Sequence, residues 1–319
     1  MNERSAPIDH PPTTRPADPA EPNALGRAIA LLGDEWTLLL LRETLYGATR
    51  YGEYKAALDI SDATLTDRLR RLTDAGLVER RVYSQSPLRA DYRATPAGAA
   101  TWPFLFAIWD WERRWVPDRA AELPAMTHRS CGADLDPELV CGSCSAPVEL
   151  GALHSTWGPA GGWRRSIPRS TTRRRSGTGR AGHAGHFPET MAILGNRWSS
   201  ALVAAAMLGT TRYTDFRARL EIPEAVLAER LEEFRAAGVF DHGPAADGSN
   251  RQEYTLTPKG LGFLPVVLTM VSWAQRHLVP AGEGTAIDIV HSPCGATLVP
   301  RWRCRGCGDP VDGGSVIVG

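Results

Sequence analysis

Along residues 61–76 the apolar positions Leu65, Leu69 and Leu72 fall at i, i+4 and i+7, which predicts a helix with one narrow stripe turned to a core. Ser61 suits the N-cap, Asp62 adds negative charge to the first turn, and Gly76 stands where a left-handed stop is needed. The opposite face is polar and carries Ala63, Thr66, Asp67, Arg70 and Arg71. Upstream, the pattern turns helical at about Ala24, the apolar run within residues 32–43 predicts a buried helix, and Arg50-Tyr51-Gly52-Glu53-Tyr54 opens a short one ending near Leu58. Downstream, residues 76–83 read as a strand, 84–91 as a turn and Tyr92-Arg93-Ala94 as the returning strand. From Pro96 one long helix carries Trp102, Phe104, Phe106, Trp109, Trp111 and Trp115, more aromatic surface than one small core uses.

Helix, helix, turn, helix and two-stranded wing is the winged helix-turn-helix order. The pattern recurs 162 positions on: Leu32-Gly33 returns as Leu194-Gly195, Trp36 as Trp198, Arg68-Leu69 as Arg230-Leu231, Thr95-Pro96 as Thr257-Pro258 and Trp111 as Trp273. An offset kept across helices, turn and wing marks a duplicated unit. A chain of 319 residues that is 43% hydrophobic has the material for two such cores.

All six cysteines lie in two short clusters, so none is left for a disulfide framework. Each cluster pairs His-x2-Cys with Cys-x2-Cys: His128, Cys131, Cys141 and Cys144 after the first winged helix, and His291, Cys294, Cys304 and Cys307 after the second. Two chelating pairs nine residues apart can close a tetrahedral Cys3His site suited to zinc, and four filled positions make it structural rather than catalytic. Two zinc ribbons follow, with redox or zinc sensing as the alternative. The expected fold class is therefore mainly α with small β wings (α+β), two winged helices packed as an intramolecular pseudo-dimer, each with a ribbon behind it.

Several of these motifs together resemble the HxlR family of MarR-like transcriptional regulators. They are Gly33-Asp34-Glu35-Trp36-Thr37 before an apolar helix, Arg50-Tyr51-Gly52-Glu53-Tyr54, the Leu65/Arg68-Leu69/Leu72 helix, Gly76-Leu77-Val78-Glu79-Arg80 and Tyr92-Arg93-Ala94-Thr95-Pro96. The resemblance implies a sequence-specific DNA-binding regulator, a repressor rather than an enzyme, with a terminal aromatic helix buried at a dimer interface. Double-stranded DNA is then the partner, with Thr64, Thr66, Asp67 and Arg70 toward bases and Arg50, Arg71, Arg80, Arg81, Arg89 and Arg93 as further contacts, mostly to phosphate. Association of two such chains stays open, and the effector is not legible. With no secretory signal and no apolar run of membrane-spanning length, a cytoplasmic, reducing setting without membrane contact is expected.

The formal net charge is zero, so local charge decides. Arg70 and Arg71 correspond to Glu232 and Glu233, and residues 79–93 carry four arginines against two acids where 241–255 carry one against three. Glutamates brought to a phosphate backbone cost Coulomb energy and release no counterions, so the first winged helix is expected to dominate DNA contact. The alternative is a ligand- or protein-binding pseudo-dimer whose second half has lost DNA binding. Expected boundaries are a disordered tail (1–22), winged helix (23–122), ribbon (123–150), basic flexible linker (151–187), winged helix (188–282) and ribbon (283–319). Gly177-Thr178-Gly179-Arg180-Ala181-Gly182 matches a dinucleotide fingerprint, but no strand feeds it and no helix leaves it, so the match is rejected.

Overall fold

The computed structural model describes residues 21–86, 88–169, 187–245 and 251–319. The glycine-rich match at 177–182, most of the N-terminal tail and the arginines from Arg173 to Arg180 lie outside them. The first repeat runs α1 (Ala24–Leu32), α2 (Glu35–Leu45), α3 (Tyr51–Leu58) and α4 (Asp62–Asp74) into a hairpin of β1 (Val78–Gln85) and β2 (Leu88–Ala94). Caps set these boundaries. Asp34 Oδ1 accepts from Thr37 N at the start of α2, and Ser61 Oγ from Thr64 N at the start of α4. Glu53 reaches back to the Thr49 and Arg50 backbone amides, which hold its carboxyl below the usual range and explain that glutamate within the Arg50–Tyr54 motif. Gly76, at φ +69°, ends α4 as expected.

Two expectations about this repeat need correction. The wing is longer than residues 84–91 as a turn allowed: Val78 pairs with Ala94 and Gln85 still pairs with Leu88. The helix from Pro96 is broken into α5 (Pro96–Ala99) and α6 (Trp102–Trp115). Pro103 has no N–H to give to the carbonyl of Ala99 and is tolerated only in the first turn of a helix, so the chain turns at Ala100 and Thr101 and restarts at Trp102. A short α7 (Pro117–Ala120) follows.

Beyond α8 (Trp163–Ser166), the second repeat follows the same course. It comprises α9 (Pro188–Leu194), α10 (Arg197–Met207), α11 (Tyr213–Leu220), α12 (Glu224–Ala236), a hairpin of β6 (Phe240–Pro244) and β7 (Gln252–Leu256), α13 (Pro258–Leu261) and α14 (Leu264–His277). The aromatic helices α6 and α14 pack on each other, and the contact is reciprocal. Trp111 Nε1 donates to Lys259 O at 3.1 Å, and Trp273 Nε1 donates to Ala97 O, the equivalent atom of the first repeat, at 2.9 Å. Burying an aromatic ring contributes about 3 kcal/mol against about 1 for its indole hydrogen bond, so burial holds the halves together and the hydrogen bonds fix their register.

The small sheets cross between repeats. In the first repeat lie β3 (Met126–His128), β4 (Pro137–Cys141) and β5 (Leu153–Trp157); in the second, β8 (Ile287–His291), β9 (Ala296–Thr297), β10 (Pro300–Cys304), β11 (Pro310–Val311) and β12 (Val316–Val318). β4 pairs antiparallel with β10 about Leu139 and Trp302, β3 pairs with β12, and β5 pairs with β8. Thus residues 153–169 are not free linker: β5 takes in β8's sheet the place that β12 takes beside β3. Helix α8 then docks on α1, where a Cβ on Gly26 would collide with Arg165 O, so only glycine fits. Arg165, expected in the basic linker, is buried and pairs with Glu283 at 2.9 Å. Among the described residues, no helix is long and apolar enough to cross a membrane.

Glu112 on α6 is buried against the start of α9, where Oε1 accepts from Thr190 N and Oγ1 while Oε2 has no hydrogen-bond partner among the described residues. Burial raises its pKa. A carboxyl raised on folding favours the native state while protonated, and that contribution disappears as pH rises through the folded pKa. Glu112→Gln keeps the acceptor and removes the charge. Its melting temperature should exceed that of the wild type at neutral pH, and the gap should close as pH falls toward the unfolded carboxyl pKa in paired thermal melts.

Candidate nucleic-acid interface and paired metal clusters

Helix α4 is fixed from below by its leucines and from the side by a charge pair. Leu65, Leu69 and Leu72 are fully buried, and Arg68 reaches Asp34 with Nε to Oδ1 at 2.7 Å and Nη2 to Oδ2 at 2.9 Å. Both side chains are only about a tenth exposed, and this forked pair holds the Arg68 guanidinium above its ordinary pKa. The Asp34–Arg68 pair escaped the sequence reading because the residues lie far apart in the chain, although each sat inside a motif.

On the outer face, Asp67 sits among three arginines and contacts Arg70 at 2.7 Å, Arg71 at 2.9 Å and Arg68. The Arg70 hydrogen bond leads the set of contacts that lowers its pKa. Arg70 and Arg71 remain 65% and 47% exposed. Exposed pairs of this kind are worth about 0.2–1 kcal/mol, so a phosphate can compete for either guanidinium. Thr66 is exposed with its hydroxyl 3.3 Å from Tyr51 OH, while Thr64 is half-buried in the first turn, its hydroxyl 2.8 Å from Ser61 Oγ.

The wing divides its arginines between two faces. Arg50, Arg80 and Arg89 line one open cleft of about 580 Å³ between the start of α3 and the hairpin, beside Tyr83 and Tyr92. Arg81 and Arg93 pair with Glu79 at 2.7 Å and Asp91 at 3.4 Å, and cross-strand pairing of Glu79 with Arg93 and Arg81 with Asp91 puts these four residues together. The first winged helix thus brings Thr66, Arg70 and Arg71 to one helix face and Arg50, Arg80 and Arg89 to a neighbouring cleft.

Eight cysteine and histidine ligands gather into two groups of four, but not as their order suggests. His128 and Cys131 meet Cys304 and Cys307, and Cys141 and Cys144 meet His291 and Cys294, with the ligand atoms of each group within 4.8 Å of one another. The expectation that each ribbon closes its own site is therefore corrected: every cluster takes one chelating pair from each repeat. Antiparallel pairing of β4 with β10 sets Cys141 opposite Pro300 and Cys304 opposite Pro137, which carries each Cys-x2-Cys turn to the other repeat's histidine. His128 Nδ1 lies 3.5 Å from Cys131 Sγ and 3.3 Å from Cys307 Sγ; His291 Nδ1 lies 3.4 Å from both Cys144 and Cys294 Sγ. Both Nε2 atoms are buried without a hydrogen-bond partner among the described residues, so Nδ1 is the donor each ring offers the cluster. Burial pushes the Cys141 and Cys304 thiols up, but the backbone amides of Ser143 and Cys144, and of Cys307 and Gly306, outweigh it and favour thiolates. These clusters could each hold a metal ion.

The profile of the HxlR-like helix-turn-helix family matches residues 31–120 and again 193–281, more than half of the chain. The chain belongs to the HxlR-like helix-turn-helix family. It is 35% identical over 150 residues to an uncharacterized HTH-type transcriptional regulator of Mycobacterium tuberculosis, covering 47% of this chain and 94% of that protein. A similar regulator of Bacillus subtilis is 34% identical over 91 residues, 28% of this chain and 84% of its own length. Among solved structures, a candidate transcription factor from Pseudomonas aeruginosa is 29% identical and covers 45% of this chain and 97% of its own, with a TM-score of 0.35. The relatives are regulators of transcription, not enzymes.

The two HxlR-like repeats differ around α4 and α12 and in their wings. Asn196 stands where the first repeat has Asp34; it still caps α10 by accepting from Trp198 N, but it brings no charge to Arg230, whose Nε is buried without a hydrogen-bond partner among the described residues. Arg230 pairs along its own helix with Glu229 and Glu233, and Glu232 pairs with Arg235. In the wing His242 takes the place of Arg80 and stacks on Tyr254 at 4.4 Å.

Two predictions follow from this HxlR-like geometry. Asp34→Asn keeps the α2 cap and leaves Arg68 short of its carboxylate, so it should cost about 1–3 kcal/mol of stability; Asn196→Asp should raise stability, and denaturant melts would read both. For the clusters, Cys131→Ser with Cys141→Ser strikes both metal sites, whereas Cys141→Ser with Cys294→Ser strikes one. Metal analysis should therefore find the first variant poorer in bound metal than the second, the reverse of what two separately closed ribbons would give.

Proposed function

We propose that this chain is a sequence-specific DNA-binding repressor in which the first winged helix reads the major groove and the second serves mainly as its built-in dimer partner. The observation that supports this most strongly is the contrast between exposed recognition faces: Arg70 and Arg71 stand out from α4, while Glu229, Glu232 and Glu233 stand out from α12. Thr66 and Arg70 suit base edges, with Thr64 at the capped end of the helix. Asp67 orients the arginines around it, and Arg71 and the wing arginines Arg80, Arg81, Arg89 and Arg93 suit phosphates, with Arg50 in the adjoining cleft. One chain then covers a single half-site, and a palindromic operator needs two chains.

The two metal clusters, in this reading, hold structural zinc. Tetrahedral zinc with bonds of about 2.3 Å to sulfur and about 2.0 Å to nitrogen has edges of about 3.8 Å between sulfurs and about 3.5 Å from sulfur to nitrogen. The Cys141–Cys294 separation of 3.9 Å and the sulfur–imidazole distances of 3.3–3.5 Å agree with those edges. The acidic face of α12 also favours a second reading, a protein- or ligand-binding module in which operator reading has been lost.

Footprinting and gel shifts on DNA upstream of the chain's own gene, at several salt concentrations, separate the two readings. Arg70→Ala should cost about 1–3 kcal/mol of specific affinity, whereas Arg89→Ala should weaken all sequences alike and flatten the salt dependence. Replacing Glu232 and Glu233 with Gln should leave operator affinity unchanged or slightly higher. Loss of operator binding in Glu232→Gln with a silent Arg70→Ala would assign reading to the second repeat.

A further inference from the structure

A cavity of about 280 Å³ lies in the second repeat, between α10 and α14 on one side and β5, β8 and α8 on the other, with α1 of the first repeat closing it through Leu25 and Ile29. None of the side chains lining it is charged. Of its three serines, Ser200 donates to the backbone at Ile193 O, and Ser166 accepts from Asn23 and donates to Gly162 O, which leaves the Ser155 hydroxyl on β5 as the polar group an occupant would meet. At the rim Trp157 is exposed and meets Trp163 edge to face at 5.1 Å. An apolar cavity of roughly 150 Å³ holds one benzene ring, so this one has room for about two.

Its counterpart in the first repeat supplies an internal comparison. There a cavity of about 350 Å³ occupies the equivalent place, with Trp102, Phe106 and Trp109 where the second repeat has Leu264, Leu268 and Val271, and with Arg42 and Tyr46 where it has Ala204 and Leu208. The guanidinium and the phenol give that cavity a polar side. Neither group exists in the second, whose polar side chains are the hydroxyls of Ser155, Ser166 and Ser200.

We propose that the cavity of the second repeat binds an uncharged, largely aromatic small molecule of about two fused rings. The apolar lining excludes ions, because a buried charge would find no partner. A neutral ring system fills the space and gains the dispersion contacts that an empty cavity forgoes. Wall helix α1 leads directly into Asp34, the residue that clamps Arg68 of α4, so an occupant touches the same element that positions the DNA-facing helix of the other repeat.

The probe is prodan, a neutral naphthalene whose emission shifts to the blue in apolar surroundings, titrated into the full metal-loaded chain without DNA, so that the outcome is independent of operator reading. Wild type should give a saturable blue shift at one site per chain. Ala204→Phe should weaken that binding at least tenfold while keeping a cooperative melt, and Arg42→Ala, in the other cavity, should leave it unchanged. If Ala204→Phe fails to fold, Leu264→Trp, which installs the first repeat's residue, takes its place with the same expectation. No saturable shift in wild type, or undiminished binding in a folded cavity-filling variant, would overturn the proposal.

Discussion

A four-coordinate cluster is closed only when both of its chelating pairs are present, and here the two pairs always belong to different repeats. This constraint organises the molecule. β4 and β10 lie antiparallel about Leu139 and Trp302, the register that carries each Cys-x2-Cys turn to the opposite histidine. Trp302 then reaches α6, donating to Pro103 O at 3.1 Å and meeting Phe106 edge to face, so the cluster sheet is seated on the aromatic helix that joins the winged helices. Clustering of the chelating pairs, sheet register and helix packing thus agree on one relative placement of the repeats.

What duplication has kept and what it has let go divides along physical lines. Contacts that need backbone geometry recur as equivalents: Tyr92 N and Tyr254 N each donate at 2.7 Å to Thr49 O and Thr211 O, and Gly76 and Gly238 both take φ +69°. Side-chain chemistry on the exposed faces of α4, α12 and the wings has diverged. Where the first repeat has Arg70 and Arg71 the second has Glu232 and Glu233, and the Arg80 position holds a histidine stacked on tyrosine. Backbone contacts are bound into a core where any change costs stability, whereas exposed charges cost little to exchange.

Periodicity made the winged-helix elements legible, because Leu65, Leu69 and Leu72 meet one core and Ser61 and Gly76 bound one helix. The eight ligands were legible too, since cysteine and histidine at chelating spacing have few other uses. Which pairs share a site was not, because His128 to Cys144 spans an acceptable zinc spacing locally and nothing within that segment reports its antiparallel partner, β10. The strand at residues 153–157 was hidden by its neighbours: the arginine-rich composition after it suggested a linker, while its place depends on pairing with β8. The break between α5 and α6 was readable from Pro103 but was outweighed by the unbroken run of aromatics.

The reciprocal seating of Trp111 and Trp273 has a thermodynamic consequence of its own. Two separate chains joined by such a contact come apart on dilution, and their assembly depends on how much protein is present. Within one polypeptide the same contact is intramolecular, so its two sides see each other at a fixed effective concentration. Dilution cannot part them, and the pairing of the repeat with a basic α4 face with the repeat whose α12 face is acidic is fixed at translation rather than by mass action.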